Sequence, residues 1–147
     1  VETFSKEDKI SHAFIIDEPS LNSRSLLHVN ETQTSFLYSS TNFESISISE
    51  SAKRLFNLGC KNLLITGGDE KTAAVTNTLY LENGEVIPFE SERLPNKYHG
   101  SGCTLASAIA GFCAQDYSLK EAVNEAIHFT SLALKNAFNI GHGQLIP

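Results

Sequence analysis

Apolar residues recur along this chain with two different periods, and the changes of period mark its elements. Ala13-Phe14-Ile15-Ile16 is an unbroken apolar run followed by Asp17-Glu18-Pro19, the pattern of a buried strand and a turn. Leu26-Leu27-His28-Val29 predicts a second strand. Phe36-Leu37-Tyr38 predicts a short helix before a Ser/Thr/Asn loop over 39–47. Ile48, Ala52, Leu55 and Phe56 form one face of a helix running from Ser49 to Leu58, with Gly59 placed to end it. Asn62-Leu63-Leu64-Ile65-Thr66 is a continuous apolar run of strand length that stops at Gly67-Gly68. Helix, glycine, apolar strand and glycine pair make the rhythm of a parallel α/β sheet, in which ligands settle at the carboxyl ends of strands.

Two further strands are predicted over 73–81 and 85–89, joined at Asn83-Gly84, a strong hairpin signal. Pro88 cannot donate to a ladder on both sides, so the second of these strands belongs at an edge. After a loop over 91–99, a Gly-Ser-Gly turn runs into Cys103. From there Leu105, Ala106, Ala108, Ile109, Ala110, Phe112 and Ala114 predict a helix of small and apolar residues. Ser118 with Glu121 three residues on is a capping box. It opens a helix whose apolar positions are Leu119, Ala122, Val123, Ala126, Ile127, Thr130, Ala133, Leu134 and Ala137. Gly141-His142-Gly143 closes that segment.

Composition narrows the classes. With 147 residues and 41% hydrophobic positions, one domain or part of one is expected. A net charge of −6 and the lack of a Lys/Arg cluster argue against a nucleic-acid surface. No apolar run approaches the roughly 20 residues of a membrane span. Three cysteines without paired spacing point to a reducing compartment, hence a cytoplasmic location. The chain begins at Val1 and contains no Met, so residues 1–147 are expected to be a single domain that is itself a fragment of, or an N-terminally truncated, longer protein.

The stretch around Gly100-Ser101-Gly102-Cys103 carries the chemistry. A turn that opens a helix leaves main-chain N–H groups and the positive end of the helix dipole facing one point, which suits an anion such as phosphate. Glycines keep side chains away and let the anion reach the backbone. Cys103 sits in the same field, a setting in which a cysteine sulfur is reactive. Cys60 and Cys113 read as small buried apolar residues.

The run His99-Gly100-Ser101-Gly102-Cys103-Thr104-Leu105, the helix after it, Glu121-Ala122-Val123 and Gly141-His142-Gly143 together resemble the hydroxymethylpyrimidine/phosphomethylpyrimidine kinases of thiamine biosynthesis, whose motif reads H-G-T/S-G-C-T-L. Those enzymes are members of the ribokinase superfamily. Asn30-Glu31-Thr32-Gln33 is similar to the superfamily's N-x-x-E motif. Ile65-Thr66-Gly67-Gly68-Asp69 is similar to the family's K-G-G-H stretch, and Asn77-Thr78-Leu79-Tyr80 to its D-x-L-Y strand.

The resemblance implies an α/β fold, the C-terminal part of a ribokinase-like three-layer α/β/α domain with a mostly parallel sheet. It implies ATP-dependent phosphoryl transfer to a hydroxymethylpyrimidine and then to its monophosphate, with ATP and Mg as cofactors. Cys103 would be catalytic, and Gly100, Ser101 and Gly102 would form the anion hole. Asn30, Gln33, Thr66, Gly67 and Gly68 would bind nucleotide. No side chain would ligate the metal directly, Mg being held mainly by ATP phosphates and water. The partners implied are a small pyrimidine and ATP, with a homodimer mate or a completing second chain possible, and neither nucleic acid nor membrane. The chain departs from the pattern at four places: Gln33 replaces Glu, Thr66 replaces Lys, Asp69 replaces His and Asn77 replaces Asp. Two alternatives therefore stay open, a catalytically degenerate homologue that binds nucleotide or a partner, and a pyridoxal kinase-like enzyme.

Overall fold

The computed structural model describes residues 14–16, 26–30, 48–57, 60–68 and 71–147. In chain order these form β1 (Phe14–Ile16), β2 (Leu26–Asn30), α1 (Ile48–Asn57), β3 (Leu63–Thr66), β4 (Ala74–Tyr80), β5 (Val86–Glu92), α2 (Ser101–Cys113) and α3 (Leu119–Lys135). The short helix expected at Phe36-Leu37-Tyr38 and the loop over 39–47 lie outside the described residues. The chain divides into two compact units, Val1–Glu90 and Ser91–Pro147.

The first unit is built on a sheet with strand order β1-β2-β3-β4-β5. The rhythm of the sequence predicts a mostly parallel sheet, and this detail is corrected. Among the described residues only β2 and β3 run parallel, whereas β1 pairs antiparallel with β2 and β4 antiparallel with β3. The connections explain it. A crossover containing α1 joins β2 to β3 and permits a parallel pair, while the short segments before β4 and β5 can only turn the chain back.

β4 and β5 meet through the expected hairpin. Leu81 N–H donates to Glu85 O at 2.9 Å and Gly84 N–H to Leu81 O at 2.9 Å. The Asn83 Oδ1 accepts from Glu85 N–H at 2.9 Å, and Gly84 takes the left-handed conformation (φ 86°) that such a loop requires. β5 lies at the edge of the sheet, as Pro88 demands, and runs to Glu92, three residues beyond the predicted end.

Alternation sorts β3 and β4 into two faces. Leu63, Ile65 and Tyr80 share one face and pack with Ala52, Leu55, Ile48 and Phe56 of α1. This is why the apolar residues of α1 recur at helical spacing. On the other face stand Leu64 and its partner Leu79, both fully buried, then Thr66 and its partner Asn77 at the carboxyl end of β3.

The second unit is organised by α2 and α3, which pack on each other along the stripes Leu105, Ala106, Ile109, Cys113 and Leu119, Ala122, Val123, Ala126, Thr130. Phe112 and Tyr117 stack edge to face (centroids 5.3 Å apart) across the connection between the helices. The capping box at α3 is complete: Ser118 Oγ accepts from Glu121 N–H, and Ser118 N–H donates to Glu121 Oε2 at 3.0 Å. The segment after α3 returns to the loop before α2 through the bridge Tyr98–Leu145, and within that segment Phe138 bridges Ile146.

Candidate functional site

The predicted anion site opens α2, with one change of geometry. The sequence suggests a three-residue turn with the helix starting at Cys103, but α2 already begins at Ser101 and Gly100 alone makes the turn. Gly100 is the N-cap residue, with φ 89° and ψ 0°. That left-handed conformation costs an L-residue roughly 1–2 kcal/mol, and glycine adopts it freely. Small residues over 100–104 let the helix continue straight out of this turn.

The first intrahelical bond is Thr104 N–H to Gly100 O at 2.9 Å, reinforced by Thr104 Oγ1 donating to the same carbonyl at 3.0 Å. Among the described residues no carbonyl accepts from the amides of Ser101, Gly102 or Cys103. These are the orphan donors of a helix start, and none is closed by a side-chain cap. Gly100, Ser101 and Gly102 are half-buried and Cys103 is exposed. The anion-hole candidates and the candidate catalytic cysteine therefore occupy one helical turn, with α2's full dipole behind them.

The loop leading into this turn is held from the far end of the chain. His99 N–H donates to Leu145 O at 2.9 Å, and Leu145 N–H donates to Lys97 O at 3.0 Å. Sequence reasoning missed Leu145. The visible signal was the short apolar pair Leu145-Ile146 after Gly141-His142-Gly143, too brief to identify as a strand-like bridge.

The nucleotide-binding candidates gather in the first unit. Asn30 and Thr66 are Cα partners at the ends of the parallel strands β2 and β3, and Thr66 is in turn the partner of Asn77 on β4. Gly67 is buried immediately past Thr66. A Cβ built on it would stand 2.5 Å from the Thr76 carbonyl oxygen, so only glycine fits there. Gly68 is exposed and has nothing within 4 Å of its Cβ position. Gln33 and Asp69 lie outside the described residues. Among the described residues, no three His, Cys, Asp or Glu side chains come together as a metal site.

Unsealed amides behind a left-handed glycine, at the start of a 13-residue helix in an α/β chain, form an arrangement that suits an anion. Comparison with known proteins names the family. The family model for phosphomethylpyrimidine kinase matches residues 16–146, and the chain belongs to that family. The hydroxymethylpyrimidine/phosphomethylpyrimidine kinase of Helicobacter pylori is 36% identical over 100 residues, which are 66% of this chain and 37% of that protein. The pyridoxine kinase of Bacillus subtilis is 37% identical over 92 residues, 60% of this chain and 33% of that protein. An ADP complex of Bacillus subtilis pyridoxal kinase superposes with a TM-score of 0.72 at 26% identity, covering 82% of this chain and 48% of that one. The fold is thus that of the ribokinase-like kinases, and the chain spans less than half the length of each of these relatives.

Proposed function

We propose that the chain is the phosphate-handling part of an ATP-dependent kinase that phosphorylates a hydroxymethylpyrimidine and then its monophosphate. The observation that carries this reading is the unsealed row of amides over Ser101, Gly102 and Cys103 behind Gly100. In phosphoryl transfer the substrate hydroxyl oxygen bonds to the terminal phosphorus of ATP while the bond to ADP breaks. Catalysis is mostly positioning and neutralisation of the charge on the transferred group. Main-chain donors fixed at a helix start supply that neutralisation without reorganising. Cys103, in that same first turn and exposed, would accept the substrate hydroxyl's proton or hydrogen-bond that hydroxyl.

The residues present fit a nucleotide. Gly67, where no Cβ has room, and the cross-strand pair Thr66 and Asn77 offer bare main chain and neutral polar groups at strand ends. Mg2+ would be held by the ATP phosphates and water, where it offsets their charge. A cytoplasmic location accords with three free cysteines. A homodimer mate or a completing second chain is the partner this reading implies, since other residues would supply most pyrimidine contacts.

The test is ADP release on mixing the chain, in the presence of the rest of its protein, with MgATP and hydroxymethylpyrimidine. Cys103→Ala should lower the rate at least about a hundredfold while leaving ATP binding in place. Full activity in that variant would remove Cys103 from the mechanism. Binding of ATP without turnover would favour a catalytically degenerate homologue. A second substrate reading, a pyridoxal-type alcohol, is favoured by the match to a pyridoxine kinase, and the same assay with pyridoxine decides between the two.

A further inference from the structure

A buried hydroxyl lies in the packed face between α2 and α3. Thr130 ends the buried stripe of α3 and is 8% exposed, and its Oγ1 is shut off from solvent. Among the described residues no group hydrogen-bonds to that oxygen. A helical threonine often gives its hydroxyl to the carbonyl four residues back, here Ala126 O, and that bond is not made.

The register of the two helices places this residue. The connection over 114–118 is short enough to make α2 and α3 an antiparallel pair, with Phe112 and Tyr117 in contact across it. Leu119 and Cys113 are the buried residues nearest that connection. Thr130 lies 11 residues on from Leu119 (130 − 119), and Gly102 lies 11 residues back from Cys113 (113 − 102). At about 1.5 Å per residue both stand roughly 16 Å from the connection, so Thr130 is level with Gly102 in the first turn of α2. The same count sets Val123 level with Ile109 and Ala126 with Ala106, and all four are buried.

Burying a hydroxyl without a partner is unfavourable, and a valine of the same shape would fill the space without that penalty. Gly102 carries no side chain to screen the hydroxyl from the unsealed amides of Ser101, Gly102 and Cys103. A helical threonine has two χ1 wells, so the hydroxyl can turn from its sealed position toward an anion seated on those amides.

We infer that Thr130 donates its hydroxyl hydrogen bond to a phosphate oxygen held at the first turn of α2, which makes it a positioning residue supplied to the anion site by α3. This rests on the anion-binding reading above. The experiment is calorimetry with MgATP on the chain, on Thr130→Val and on Thr130→Ser, together with the melting temperature of each without ligand.

Thr130→Val keeps the shape and removes the hydroxyl. It should weaken ATP binding about tenfold while its ligand-free melting temperature stays level or rises. Thr130→Ser keeps the hydroxyl and removes a methyl group. It should bind ATP within about twofold of the unsubstituted chain although it melts lower. Unchanged ATP affinity in Thr130→Val overturns the inference, because the hydroxyl is then only a core group. Equal weakening in both variants overturns it too, since packing and not the hydroxyl would then set the affinity. If the unsubstituted chain binds no ATP, the anion reading fails and takes the inference with it.

Discussion

The main-chain amide of His99 donates to the carbonyl of Leu145 at 2.9 Å, and Leu145 N–H returns to Lys97 O at 3.0 Å. Two residues 46 positions apart (145 − 99) thereby fix the approach to the glycine turn. The proposed anion cradle is approached by a loop that Leu145 holds in place.

Leu145→Pro removes the donor to Lys97 O and should loosen that approach. A lost, partly buried main-chain bond costs about 1–3 kcal/mol. The expected outcome is a lower melting temperature and a loss of ATP affinity of about tenfold, read by thermal denaturation and calorimetry. Leu145→Ala, which keeps the main-chain bonds, should do less on both counts.

Gly100→Ala places a Cβ on a residue with φ 89°, although there is open space around the position. The penalty is therefore conformational and should be roughly 1–2 kcal/mol. Relaxing that strain would rotate the first amides of α2 away from a common point. Phosphoryl transfer should fall further than stability does, and comparing rate with unfolding free energy checks this.

The two strand-end glycines should respond differently to the same change. Gly67→Ala drives a Cβ to 2.5 Å from the Thr76 carbonyl oxygen, a contact with backbone that cannot easily give way. Overpacking of this kind costs about 1–3 kcal/mol. Gly68→Ala meets nothing within 4 Å and should be nearly neutral in chemical denaturation.

α3 supplies a pH-dependent test. The side chain and main chain of Ser118 hydrogen-bond the Glu121 carboxylate and hold its pKa below the ordinary 4.5. A lowered carboxylate pKa means the stabilisation is fully present above about pH 4.5 and is lost as pH falls through the folded value. Melting temperature should thus fall on acidification below pH 4.5, and Glu121→Gln should flatten that part of the profile.

Much of this was legible in the sequence because the relevant signals are local. Ser118 with Glu121 announces a cap, Asn83-Gly84 a hairpin, Pro88 an edge, and the small residues after His99 a helix that starts without a side-chain cap. Strand direction was less legible. The run Leu63-Leu64-Ile65 is buried on both faces and so looks like a parallel strand, yet β4 beside it is antiparallel, because continuous burial reports layers and not direction. The start of α2 was misjudged by two residues, since Ser101 and Gly102 look like turn residues although they are helical once Gly100 has reversed the chain. Long-range partners such as Asn30 with Thr66, or His99 with Leu145, have no local signature at all.

The central claim, a phosphate held by the main-chain amides that open α2, is tested most directly by amide NMR during titration of the chain with ATP. The resonances of Ser101, Gly102 and Cys103 should move together and saturate at one ligand concentration, while those in the middle of α3 stay in place. Amide signals over 101–103 that remain fixed while ATP demonstrably binds would contradict the account.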